Sequence, residues 1–238
     1  MLPKNILLHN AAGFFFPHLC IVCRSPLGAL HWLCLSCENK LNANNAARDA
    51  CMRCGENKNL RPCSCRTSDY SFESIVSLFD FDAIVRPVVH EIKYCGSKRL
   101  GYYIGQRSSS LVPASFFDNV HAVVPVPLHP LRRLRRGYNQ ADYFARGMLS
   151  AYSDCEYLPD ALKRRRWTKT QTKLTKELRR KNMAGAFCVP VSQRLQIKDK
   201  NIVVVDDVVT TGATVSACTQ ALLDAGCASV KVLSLARD

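Results

Sequence analysis

The sequence predicts an α/β protein: a mostly parallel sheet covered by helices on both faces, preceded by a small cysteine-rich module. Three observations carry this. Beyond residue 68, strand-like apolar runs alternate with helical patterns, the arrangement that gives a helix-covered parallel sheet. Eight of the 13 cysteines crowd between positions 20 and 65 in four close pairs. One fully apolar strand runs straight into two aspartates and a Thr–Gly turn. The expected division is a module over 1–68 and an α/β domain over 69–238.

The module comes first. Its pairs are Cys20 and Cys23, Cys34 and Cys37, Cys51 and Cys54, and Cys63 and Cys65. A C-x2-C step puts two thiolates on one tight turn, and two such steps close a tetrahedral shell around Zn²⁺, whose binding energy folds a segment with little apolar core. Four pairs predict two metal sites. The first set has two true C-x2-C steps, whereas Cys63-Ser64-Cys65 is a tighter C-x-C step. Spacing leaves open whether the pairs combine consecutively or interleaved. His18 and His31 lie nearby as substitute ligands or surface residues. Cys95, Cys155, Cys188, Cys218 and Cys227 are expected as small buried side chains. With no secretory signal, a disulfide framework is disfavoured, and four clustered pairs do not suit a thioredoxin-like redox motif.

The periodicity then predicts a strand over 72–81, an amphipathic helix over 84–94, a strand over 122–126, a helix over 139–149, an apolar strand over 201–205, a helix over 214–224 and a closing strand over 229–235. Ligands of such sheets bind at the carboxyl ends of the strands. That rule selects VVVDDVVTTGATV at 203–215. Two adjacent carboxylates cannot both face a core, so Asp206 and Asp207 are expected to project into an open cleft. Beyond them Thr210, Thr211, Gly212, Ala213 and Thr214 open a helix, where free amides and the positive end of the dipole favour a phosphate. GxxxxGK[ST], GxGxxG, HExxH and GxSxG are all missing, which removes Walker-type nucleotidases, dinucleotide-binding sites, zinc proteases and serine hydrolases.

The acidic pair followed by TTGAT resembles the phosphoribosyl pyrophosphate (PRPP) loop of type I phosphoribosyltransferases. Together with the cysteine module, HEIKYCGSKRLG at 90–101, VVPVPLHPLRRLRRGYNQA at 123–141 and the basic stretch after Arg164, the chain resembles the ComF/GntX family of competence proteins over nearly its whole length. The resemblance implies a type I phosphoribosyltransferase-like fold. It implies Asp206 and Asp207 as candidate catalytic residues holding ribose hydroxyls, residues 210–214 as the 5′-phosphate cradle, and Mg²⁺ carried mainly by the ligand's diphosphate. Val126-Pro127 would take the position of the pyrophosphate loop. Ala213 departs from the pattern, since the wider class often has a hydroxyl residue there.

Composition bounds the rest. A chain of 238 residues with 47% hydrophobic and 22% charged residues buries a real core and is neither disordered nor fibrous. It has no run of apolar residues long enough for a spanning helix, and His9 and Asn10 interrupt what would be a leader's apolar core, so a mature cytoplasmic protein without membrane insertion is expected. The formal charge is +14, and residues 132–181 hold fifteen Lys or Arg against five acidic residues, with Arg outnumbering Lys. An anionic partner follows, because the planar guanidinium suits bidentate phosphate contacts. Arg164, Arg165, Arg166 and Arg179 are candidates for pyrophosphate or nucleic acid, with Tyr138, Trp167 and Trp32 able to stack on bases, although Trp32, inside the cysteine module, is expected rather in its core.

Two functions follow from the resemblance. One is handling of single-stranded DNA during its uptake, beside a site for PRPP or a related phosphosugar and with proteins of the DNA-uptake machinery as partners. The alternative is an active PRPP-dependent transferase acting on an unknown acceptor in nucleotide metabolism. Such a transfer needs positioning and charged clamps for separating charge, and no enzyme nucleophile.

Overall fold

A computed structural model of the chain describes residues 18–27, 31–59, 63, 65, 70–152, 154–165, 183 and 185–238. The main sheet uses β3 (Ser74–Asp80), β4 (Ala122–Pro125), β5 (Glu156–Tyr157), β8 (Asn201–Val209) and β9 (Ser229–Arg237). Its order is β3-β9-β8-β4-β5, and every pairing is parallel. Period-two alternation splits the strands between two cores. On one face Val76, Val123, Val203 and Val205 meet Val88, Ile92, Leu100, Phe144 and Met148 of α2 (Val85–Tyr94), α3 (Lys98–Ser108) and α5 (Gln140–Leu149). On the other, Ile75, Val124, Ile202 and Val204 meet Ile197 of α6 (Arg194–Ile197) and Val215, Cys218 and Leu222 of α7 (Ala213–Leu223).

Helix α3 and helix α5 approach backbone to backbone. A Cβ at Gly105 would stand 2.3 Å from the Phe144 carbonyl oxygen, and one at Gly147 would stand 2.1 Å from that of Tyr102. Only glycine at both positions allows this spacing.

The cysteine-rich segment pairs β1 (His18–Leu19) with β2 (Pro26–Leu27) and adds α1 (Leu35–Ala43). It shares a core with the sheet, since Cys20, Leu33, Cys37 and Leu41 join the cluster that contains Val76 and Leu78. Glu38 of α1 accepts from the Tyr103 hydroxyl at 2.8 Å and pairs with Arg107 at 2.9 Å. The segment also covers the sheet's outer edge. Ile75 N–H donates to the Met52 carbonyl at 2.7 Å, and Asp80 N–H donates to Asn44 Oδ1 at 3.1 Å. Exposed strand edges recruit other chains, and this edge is occupied. No helix among the described residues is long and apolar enough to cross a membrane.

Three corrections follow. The strand expected to stop at Val205 continues through both aspartates to Val209. Among the scattered cysteines, Cys218 and Cys227 are buried, but Cys155 and Cys188 are half-buried and Cys95, at the carboxyl end of α2, is exposed. Tyr138 is no stacking platform: it is 4% exposed, and its hydroxyl donates to the Ile92 carbonyl.

Candidate anion site and cysteine centres

From β4 the chain passes through α4 (Pro130–Arg136) and α5 to β5 at one edge. From β8 it passes through α7 to β9 on the other side. The connections diverge between β4 and β8, and at such a switch point a crevice opens at the strands' carboxyl ends. Val126 N–H extends the pairing to the Val205 carbonyl at 2.8 Å, and Asn139 Nδ2 donates to the Val126 carbonyl at 3.0 Å. This fixes Val126-Pro127 beside Asp206.

Because β8 continues, Asp206 and Asp207 project to opposite faces, and both are buried, at 8% and 7% exposure. The expected shared open cleft is therefore replaced by two environments. Asp206 lines a cavity of about 40 Å³ with Val208–Val215, room for a small anion. Its Oδ1 accepts from Asp207 N–H at 2.9 Å. Asp207 turns toward α2, with Oδ1 accepting from Val208 N–H at 2.7 Å and Oδ2 lying 3.0 Å from Lys93 Nζ. Burial, and then the charge of Asp207, push the Asp206 carboxyl well above the usual carboxylate range, partly opposed by Lys93.

The Lys93 pairing yields a test. Lys93→Met strands the Asp207 carboxylate, which for fully buried pairs costs about 3–5 kcal/mol. The Lys93 side chain is 22% exposed, so a smaller loss of about 2 kcal/mol is expected in urea denaturation. Lys93→Met with Asp207→Asn should recover most of it, and a double variant no more stable than the single one would reject the pairing as the cause.

Gly212 is the N-cap of α7 at φ +76°, a left-handed conformation in which a side chain is strained. A Cβ there would also stand 3.0 Å from Tyr70 Cε1. Thr211 Oγ1 accepts from Ala213 N–H at 3.4 Å, while Thr210 is exposed and Thr214 half-buried. Ala213 is buried, so it offers backbone only.

Basic groups surround this corner. Arg164 stacks over the Phe187 ring at 5.4 Å. Burial and then the Arg132 cation lower its pKa, while the Asp206 charge opposes them. Burial and the Arg164 and Arg132 cations hold His129 below its usual value. Arg165 is exposed at the end of the β6 (Lys163–Arg164) and β7 (Phe187–Cys188) pairing. Arg166, Arg179 and Trp167 lie outside the described residues. Trp32 is half-buried against Tyr103, with ring centroids 5.3 Å apart.

Sequence reasoning gave no role to Lys93, Tyr70, His129 or Arg132. Lys93 had a readable signal: it stands four residues beyond Val89 and eight beyond Val85 on the buried stripe of α2, where a charge demands a partner. Tyr70 had none.

The cysteines resolve consecutively. Cys20, Cys23, Cys34 and Cys37 form one group and Cys51, Cys54, Cys63 and Cys65 another, each with all Sγ atoms within 4.8 Å of one another. Sulfur separations are 3.6 Å for Cys23–Cys34, 3.4 Å for Cys51–Cys65 and 3.5 Å for Cys54–Cys63. A tetrahedron of 2.3 Å Zn–S bonds has edges of roughly 3.8 Å, close to these values, whereas a disulfide needs about 2.05 Å. Both groups therefore fit zinc. His18 and His31 are exposed and belong to neither.

Residues 134–238 match the phosphoribosyl transferase domain family. The chain is 32% identical over 236 residues to DNA utilization protein YhgH of Escherichia coli strain K12, covering 93% of this chain and 97% of that protein. It is 29% identical over 235 residues to competence protein F of Haemophilus influenzae, covering 94% and 98%. The chain belongs to the family of YhgH and competence protein F. Among solved structures it is similar to the glutamine PRPP amidotransferase from B. subtilis complexed with ADP and GMP, at 22% identity and a TM-score of 0.36, over 62% of this chain and 26% of that one.

Proposed function

We propose that the chain binds a phosphorylated ribose, PRPP or a related phosphosugar, at the head of α7 and handles single-stranded DNA over its basic surface. The observation that carries the first part is the bracketing of one small cavity by the buried Asp206 and the left-handed Gly212 at a helix N-terminus. The amides of 212–214 and the threonine hydroxyls would receive the 5′-phosphate, and Asp206 the ribose hydroxyls. Arg164 and Arg132 supply the positive field that a pyrophosphate needs, with the neutral His129 imidazole beside them. Mg²⁺, when bound with the ligand, would screen the diphosphate charge, and Asp206 is the carboxyl group that would help to hold it. Titration of Mg–PRPP by calorimetry tests this: the wild type should bind, and Asp206→Asn with Asp207→Asn should not. Unaltered binding by the double variant would remove the site.

Support for the DNA part comes from α4, which buries none of its side chains and carries Arg132, Arg133, Arg135 and Arg136. Relatives named for DNA utilization and competence support a role with DNA, which on this reading is cytoplasmic and beside uptake proteins. Affinity for an oligonucleotide should fall with salt at a slope of about −0.7 per phosphate contacted. Neutralising Arg133 and Arg135 should flatten it by about one contact each, as should neutralising Arg164–Arg166 together. A slope indifferent to all of them would reject the surface.

The transferase reading draws on the same ring of groups. As pyrophosphate departs, positive charge grows on the ribose beside Asp206 and negative charge on the leaving group beside Arg164 and His129. Release of pyrophosphate from Mg–PRPP with an added acceptor separates a turning-over site from a binding one.

A further inference from the structure

The two cysteine groups attach to different parts of the molecule. The first joins the core on the α2 side of the sheet and reaches α3 through Glu38. The second joins the opposite core with Tyr70, Val209 and Ala213, the residues on which the phosphate loop rests.

Two separate connections run from it to that loop. Arg53, inside the Cys51–Cys54 turn, donates to the Tyr70 carbonyl at 2.8 Å, to the Phe72 carbonyl and to the Glu73 carbonyl at 3.3 Å. The Tyr70 ring, stacked on Phe72 at 4.9 Å, is the wall against Gly212. The other connection starts at Glu56, which pairs with Arg237 at 2.7 Å. Arg237 is 6% exposed, and its Nη1 would lie 3.5 Å from a Cβ at Gly55, the residue after Cys54. It is registered against Val209, whose carbonyl accepts from Asp238 N–H at 3.0 Å. Arg237 Nε and Nη1 have no hydrogen-bond partner among the described residues. A tetrathiolate zinc centre carries net negative charge, and these cationic edges beside the Cys54 turn are placed to offset it.

We infer that metal in the second cysteine centre sets the affinity of the phosphate loop, with Arg53 and Tyr70 as positioning residues. This rests on the reading that residues 210–214 receive a phosphate. Removing the metal frees the Cys51–Cys54 turn, Arg53 loses its fixed anchor, and the wall behind Gly212 is no longer held. Coupling of this kind is reciprocal, so a bound ligand must also retain the metal.

The experiment uses the full-length, metal-replete protein, Mg–PRPP as probe, calorimetry for affinity and a chromogenic chelator to follow zinc release. Saturating Mg–PRPP should slow the loss of one of the two zinc ions about tenfold and leave the other unchanged. Cys63→Ser should weaken PRPP about tenfold more than Cys23→Ser, in the first centre, does. Tyr70→Leu tests the route with the cysteines intact: it should keep two zinc ions yet lose both the affinity and the protection, and Tyr70→Phe should restore both. Binding of PRPP that protects neither zinc ion, or both equally, would overturn the coupling while leaving the anion site standing. No binding by the metal-replete wild type would remove the anion site itself, and this inference with it.

Discussion

Asp206→Asn is expected to stabilise the protein and cost it its ligand. Burial, together with the neighbouring Asp207 charge, makes ionisation of Asp206 unfavourable in the folded state. The unfolded chain releases that proton near pH 4, whereas the folded protein holds it to higher pH. The associated stability is therefore complete below about pH 4 and declines as pH rises toward the raised folded-state value. Asparagine keeps the oxygen that accepts from Asp207 N–H and removes the titration. At neutral pH the variant should gain about 1–2 kcal/mol, a rise of roughly 3–6 °C in Tm, and its stability should fall less between pH 5 and 7. Mg–PRPP affinity should drop by about a hundredfold or more, because the ribose hydroxyls and the metal draw Asp206 into its ionised form on binding, and an amide cannot supply that carboxylate. Melting curves across pH, paired with calorimetry, read both effects. A variant with lower Tm and unchanged affinity would mean that Asp206 is a structural residue.

The second large effect concerns metal. Elemental analysis of protein purified without chelator should find two zinc ions per chain. Structural zinc contributes on the order of 10 kcal/mol, comparable with the whole stability of a domain. Chelation should therefore unfold the segment over 18–65, seen as rapid hydrogen exchange there. It should also expose the β3 edge, seen as aggregation, since Met52 and Asn44 leave Ile75 and Asp80. Cys37→Ser should be more damaging than Cys23→Ser. Cys37 is 3% exposed and part of the apolar core as well as a member of the cysteine group, whereas Cys23 is exposed. Protein that contains no zinc, or whose fold is indifferent to chelator, would refute the metal centres.

Much of this was legible in the residues. The parallel sheet followed from alternating strand and helix patterns, and the turn that joins β8 to α7 from one apolar strand meeting Asp206, Asp207 and Gly212. The apolar pattern ends β8 four residues short, because two carboxylates close the apolar run. Nothing local announces that Lys93, more than a hundred positions away in sequence, accompanies one of them. Helix α4 was not read at all, since PLRRLRR lays no stripe against a core and its helical form leaves no apolar period. Cysteine spacing supplied the clustered thiols but not their grouping, because consecutive and interleaved shells need the same turns. Tyr70 acts through its position against Gly212, and a contact between residues so distant in sequence leaves no periodicity to find.

The tight crossing at Gly105 and Gly147 reaches further than its location suggests. A methyl group at either would wedge the two helices apart, and the displaced one begins at Gln140, directly after the capping residue Asn139. That asparagine holds Val126 beside the acidic strand end. An alanine introduced in this inconspicuous seam would thus emerge as a defect in ligand capture, in a protein whose ligand-facing residues are all intact.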